Sequence, residues 1–205
     1  DLLGHKGIAR ELAASYGVQF RLPQLPGSAG GDMAAPTRAG AVAETGGVRV
    51  AIEDPAGCPR LLGAGIRGVR IGKSPEWLVR RLEAVGARSI NNVVDATNYV
   101  MLELNQPMHA YDLKTLRGPA LVARRARPGE RLVTLDGVDR ALDERMTVIA
   151  DAERVIGIGG VMGGAATEVS DATTALFLEC AYFDPSSIRR TRGTLNLSNE
   201  ASYRF

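Results

Sequence analysis

The chain is 205 residues long, with 45% apolar and 23% charged residues and a formal net charge of +2. These are ordinary globular values, enough for a sizeable core and too balanced to demand a polyanionic partner, so any nucleic-acid contact must come from local patches. Two cysteines and two histidines exclude a disulfide framework and argue against a zinc site, and no apolar run reaches a membrane-spanning length. A reduced, cytoplasmic setting is expected, and the start at Asp1 without methionine reads as a piece of something larger.

Residues 1–22 form the first unit. Leu2, Ile8, Leu12 and Ala13 give a weak helical stripe over Asp1 to Tyr16, with Gly17 as the stop. Residues 23–47, rich in Pro, Gly, Ala and Ser, read as a linker or long loop. From residue 48 the chain is structured to its end. Val48 to Ile52 alternates as a strand, and Leu61 to Ile71 is a second strand region broken by glycines. Ser74-Pro75 predicts a helix start, with Leu78, Leu82 and Val85 inward and Gly86 at the end.

The stretch SINNVVDATNYVMLELNQPMHAYD, Ser89 to Asp112, organises the rest. Ile90, Val94 and Met101 fall at helical spacing with Thr97 on the same face and Asn98 one step round. Pro107 ends the helix, and a turn then delivers His109. Polar residues at the rim of an apolar face point to a site. The plain alternatives are a Thr97 hydroxyl bonded back to the carbonyl four residues earlier and a structural histidine.

Strands follow at Leu121 to Ala126 and Thr147 to Ala150, with an Asp136-Gly137 hairpin between Arg131 and Leu142. The block Gly157 to Gly164 fails the dinucleotide fingerprint, because its sixth position is Met162, and it lacks the lysine of a phosphate loop. It offers either a close-approach wall of peptide N–H groups or a tight strand-to-strand crossing. In Ala175 to Cys180, Glu179 shares a strand face with Phe177 and Ala181. A carboxylate there is either at a wet edge or buried with partners. Asp184-Pro185 starts a helix carrying Arg189, Arg190 and Arg192; this cluster and Arg124-Arg125-Arg127 each read first as solvated faces. Strands outnumber helices without regular interleaving, so the expected class is α+β, mixed sheets with flanking helices.

The motifs SINNVVDATNYVMLELNQPMHAYD, GGVMGG, ALFLECAYFDPSSIRRT and NEASYRF resemble the editing module, the third and fourth domains, of bacterial phenylalanyl-tRNA synthetase beta chains. The likeness runs from about Asp54 to Phe205, and DLLGHKGIARELAA resembles the segment leading in, so residues 48–205 are expected to be one editing domain. The resemblance implies hydrolysis of tyrosine wrongly esterified to phenylalanine tRNA. It implies Thr97, Asn98 and His109 at the ester, Glu179 reading the ring hydroxyl, and Gly159, Gly160 and Gly163 as the wall. His109 and Thr97 would orient water, and the Gly159 and Gly160 amides would face the carbonyl oxygen. Gly159 stands where related chains often carry alanine, a change expected to widen the pocket. Leu197-Ser198-Asn199 replaces a more usual basic Leu-Arg-Thr run, at a place read as away from the pocket. The implied partners are tRNA(Phe) and an alpha subunit in a heterotetramer. No cofactor is expected in these residues, with ATP and magnesium only at the synthetic site of the full enzyme. A non-catalytic module that holds tRNA or a partner subunit is the alternative.

Overall fold

The structure is a computed structural model and describes residues 2–22, 33–34 and 40–205. In chain order its elements are α1 (His5–Tyr16), β1 (Met33–Ala34), β2 (Val42–Thr45), β3 (Val48–Ile52), β4 (Arg60–Arg67), α2 (Glu76–Ala84), α3 (Asn92–Leu104), β5 (Met108–Asp112), β6 (Ala120–Arg125), β7 (Arg131–Val133), β8 (Asp139–Ala141), β9 (Thr147–Ala150), β10 (Val155–Ile158), β11 (Met162–Gly163), β12 (Ala175–Tyr182), α4 (Pro185–Leu195) and α5 (Glu200–Arg204). The class is α+β, as the element pattern predicts.

One sheet has the order β1-β4-β12-β5 and is antiparallel; the other, β11-β10-β9-β6-β3-β2, is mixed, since β3 and β6 run parallel. Val48, Val50 and Ile52 of β3 meet Leu61 of β4 and Phe177 of β12 in one core between the sheets. Gly63 makes that approach possible: a Cβ there would lie 2.4 Å from Phe177 Cζ and 3.1 Å from Val50 Cγ2. Phe177 is fully buried, and its truncation to alanine costs about 3–5 kcal/mol. The Asp136-Gly137 turn joins β7 to β8, with Gly137 at φ 77°.

Several expectations need revision. The linker of residues 23–47 is interrupted by β2, whose four residues pair in register with β3. Residues 23–32 and 35–39 lie outside the described residues. Ser74 does not cap α2; Pro75 holds that position without a side-chain bond, and the Ser74 hydroxyl donates to Asp95 Oδ2 at 2.5 Å. Asp95 is fully buried and also accepts from Ser89 Oγ and the Ile90 N–H. It ties the residues before α3 to the helix's first turn, which Asn91 caps through the N–H groups of Val93 and Val94. Ile90 is 62% exposed and outside the helix, so it is not part of the apolar stripe. α3 ends at Asn105, whose left-handed φ of 60° terminates it two residues before Pro107. Among the described residues no helix is long and apolar enough to cross a membrane.

α3 covers one face of the antiparallel sheet, where Val93, Ala96 and Val100 share a groove with Met108, Leu176 and Leu178. The other face of the same sheet looks toward the core and the glycine block.

Candidate active site

His109 lies in strand β5 and not in a turn, and this decides what it meets. Alternation in β5 puts His109 and Tyr111 on one face, and antiparallel pairing sets His109 opposite Glu179 and Tyr111 opposite Phe177. Facing them, β10 turns back into β11 through Gly159-Gly160-Val161, with Ile158 paired to Met162. The glycine block is thus a tight strand crossing and a cavity wall at once. The cavity between holds about 240 Å3 and is lined by His109, Tyr111 and Glu179 on one side and residues 157–163 on the other.

Each glycine of the wall has its own reason. A Cβ on Gly163 would fall 2.3 Å from His109 Cε1 and 2.6 Å from Nε2, so only glycine lets the imidazole lie against this strand. Gly160 adopts φ 67°, and a Cβ there would strike Ile188 Cδ1 at 2.7 Å. At Gly159 a Cβ would meet Phe183 Cε1 at 2.7 Å. The missing methyl at Gly159 is therefore filled by the Phe183 ring and does not widen the pocket. The Gly159 N–H donates to Thr147 O at 3.0 Å and is not free for an oxyanion, whereas the Gly160 N–H makes no hydrogen bond among the described residues.

Glu179 is 6% exposed and accepts from Tyr111 Oη at 2.5 Å through Oε2. Burial pushes its carboxyl up to about 7, with the Tyr111 hydrogen bond pulling the other way. Burial also lowers the His109 imidazole to about 4, so it is neutral near pH 7. Its Nε2 is shut off from solvent and has no hydrogen-bond partner among the described residues. The His109 ring meets the Tyr111 ring edge-on, centroids 4.5 Å apart.

The C-terminal segment supplies a further part of the cavity lining. Asn199, Ala201 and Phe205 line the cavity, Phe205 packs edge-on against Phe183, and Asn199 donates to Val161 O. Arg192 holds this segment down: its guanidinium lies 4.1 Å from the Tyr203 ring centroid and bonds Ser198 Oγ and Ser202 O. Asn199 therefore belongs to the pocket, contrary to the sequence reading of the Leu197-Ser198-Asn199 run. In the same helix Arg189 and Arg190 are exposed and make no ion pair among the described residues. Arg124 and Arg125, by contrast, are bound to Glu130 and Asp54.

Of the sequence-predicted site residues, the fold brings together His109, Glu179, Gly159, Gly160 and Gly163. It does not bring Thr97 to them. Thr97 lies in the groove on the opposite face of the sheet, its hydroxyl donating to Val94 O, three residues earlier, at 2.8 Å. Asn98, half-buried on the same helix, does not line the cavity. Sequence reasoning missed Tyr111, which the period of two from His109 would have placed on the same face. It also missed Phe183 and Phe205, which carried no local signal.

A family model described as "B3/4 domain" matches residues 57–205. Over its whole length the chain is 52% identical to the phenylalanine–tRNA ligase beta subunit of Anaeromyxobacter dehalogenans and 50% identical to that of Moorella thermoacetica, covering 24% of each. The chain thus spans about a quarter of the length of these relatives. A solved N-terminal fragment of the phenylalanyl-tRNA synthetase beta-subunit from Pyrococcus horikoshii aligns with a TM-score of 0.49 and 13% identity, over 89% of this chain and 52% of that one.

Proposed function

From the premise that the chain belongs to the B3/4 domain family, we propose that its cavity is an aminoacyl-ester hydrolase site that removes tyrosine wrongly attached to phenylalanine tRNA. The observation that carries this reading is a buried carboxylate, Glu179, on the wall of a cavity suited to one amino-acid side chain. Tyrosine and phenylalanine differ by one hydroxyl. A site that hydrogen-bonds the hydroxyl rejects the analogue lacking it far better than an apolar pocket rejects an extra one. Phenylalanine would leave the Glu179 carboxylate desolvated and short of a donor, at a cost of about 1–3 kcal/mol.

The hydrolytic step needs a placed water and a donor to the developing oxyanion. His109 is neutral and lines the cavity; its Nε2, shut off from solvent where it lies, must turn toward the cavity to accept from or donate to that water, according to the tautomer of the ring. The Gly160 N–H supplies the donor. No side chain is given a general-base role, since the substrate's own ribose hydroxyl can assist. The site would act within a phenylalanine–tRNA ligase beta subunit in the cytoplasm, with tRNA(Phe) and an alpha subunit as partners. ATP and magnesium would serve a synthetic site elsewhere in that assembly.

The non-catalytic alternative draws support from two facts: the Gly159 amide is already occupied, and Thr97 lies across the sheet. Deacylation of tyrosyl- and phenylalanyl-tRNA(Phe) by the full enzyme separates the two readings. Hydrolysis predicts faster release of tyrosine, a loss of at least tenfold in His109→Ala, and an eroded tyrosine preference in Glu179→Ala. If neither change slows tyrosine release, the pocket is misassigned. If the wild type releases neither amino acid yet retains tRNA, the non-catalytic reading stands.

A further inference from the structure

Glu179 already holds a phenol. Tyr111 donates to Oε2 at 2.5 Å, while Oε1 makes no hydrogen bond among the described residues. Tyr111 is 1% exposed, its backbone is locked in β5 opposite Phe177, and its ring is fixed edge-on by His109. We propose that Tyr111 is the positioning residue for Glu179: by occupying Oε2 it turns Oε1 to the cavity as the one acceptor for a ligand phenol, and so sets the preference for a hydroxylated ring.

The surroundings leave this task to Tyr111 alone. Across β12, the partner of Glu179 on β4 is Gly63, which has no side chain, and on β5 it is His109. The titratable groups around the carboxylate are Tyr111, neutral because burial raises its phenol, His109, Cys58, whose thiol burial also raises, and Cys180 on the opposite strand face. Arg60 acts on Cys180 and pairs in register with Tyr182, three residues beyond Glu179. The cavity wall over residues 157–163 carries no titratable side chain, and neither do Asn199, Ala201 and Phe205. The Tyr111 hydroxyl is therefore the only donor to Glu179 among the described residues, and it favours the ionised carboxylate against the burial that opposes it.

The specificity half of the proposal rests on the ester-hydrolase reading; the carboxylate half does not. The test is Tyr111→Phe in the full chain, made in the wild-type and Glu179→Gln backgrounds, with carboxyl NMR titration of Glu179 alongside release of tyrosine and phenylalanine from tRNA. Tyr111→Phe is expected to raise the Glu179 midpoint by about 1–2 pH units. It should lower the tyrosine-to-phenylalanine release ratio at least fivefold, and less than twofold once Glu179 is glutamine. Should Tyr111→Phe fold poorly, 3-fluorotyrosine at position 111, a stronger donor of nearly the same shape, is expected to move the midpoint downward. An unchanged midpoint, or a specificity loss of equal size in the Glu179→Gln background, overturns the proposal. If the wild type hydrolyses neither ester, the hydrolase reading and the specificity half fall together, and the titration still decides whether Tyr111 controls Glu179.

Discussion

Glutamine at position 179 would keep the shape of the side chain and remove its charge. Glu179 is 6% exposed, and burial raises its carboxyl from 4.5 to about 7 even with the Tyr111 bond in place. An acid whose folded value lies above its unfolded one contributes stability that is fully present below the unfolded value and is lost as pH rises toward the folded one. For Glu179 the window runs from about pH 4.5 to 7 and the full loss is about 3 kcal/mol, at 1.36 kcal/mol per unit. Glu179→Gln has no proton to lose, so it should match the wild type near pH 4.5 and exceed it by up to about 3 kcal/mol at pH 8. In a domain of this size that is about 6–12 °C in Tm. Thermal unfolding followed by circular dichroism at pH 5 and pH 8 measures the difference. The same Tm offset at both values would mean that the carboxyl titrates as it does in water, and the buried-acceptor argument would fail. His109 has the opposite sign: its folded value of about 4 lies below 6.5, so its contribution is lost as pH falls through that interval. The two contributions thus run in opposite directions over nearly the same interval below pH 7 and largely offset in the wild-type profile, and the comparison with Glu179→Gln isolates the carboxyl.

Gly163→Ala should destabilise the fold by about 1–3 kcal/mol, since the new methyl lands on the His109 ring, and it should cut tyrosine release more than its melting loss explains; chemical unfolding and deacylation together check this. Thr97→Val removes a hydroxyl that bonds Val94 O on the far face of the sheet, so deacylation should change less than threefold, and a loss above tenfold would show that Thr97 reaches the ester. Replacing Arg189 and Arg190 together by alanine should weaken tRNA binding and lower the slope of log affinity against log salt by about 1–2, with the rate at saturating tRNA preserved; a filter-binding salt series reads both arginines directly.

Local pattern determined a good deal here. The alternation in Val48 to Ile52, the Asp136-Gly137 turn and the Asp184-Pro185 helix start all carry physical causes within a few residues, and each is found in the fold. The period of two in β12 was enough to put Glu179 on the face of Phe177 and away from Leu178. What pattern could not decide was which side of a sheet a neighbouring element occupies. Thr97 and His109 are twelve residues apart on one motif, yet the chain crosses from a helix on one face of the sheet into a strand whose alternation turns His109 and Tyr111 to the other. That crossing separates them, because a threonine hydroxyl is too short to reach through the four-stranded sheet. Asp95 shows the same limit. It lies in the first turn of α3, twenty-one residues from Ser74, and only folding brings the Ser74 hydroxyl within 2.5 Å of it. The pocket is likewise a tertiary object. Glycines at 159, 160 and 163 are recognisable as close-approach positions in sequence, but what approaches is Phe183, Ile188 and His109, supplied by a connecting loop, a helix and a strand up to 54 residues away. Sequence determined the type of each side chain and the strand face of Glu179, but not that His109 and Tyr111 share a strand. The meeting of Tyr111, Glu179 and His109 with that wall was decided by β5 and β12 pairing antiparallel, a non-local hydrogen-bond register that no window of neighbouring residues encodes.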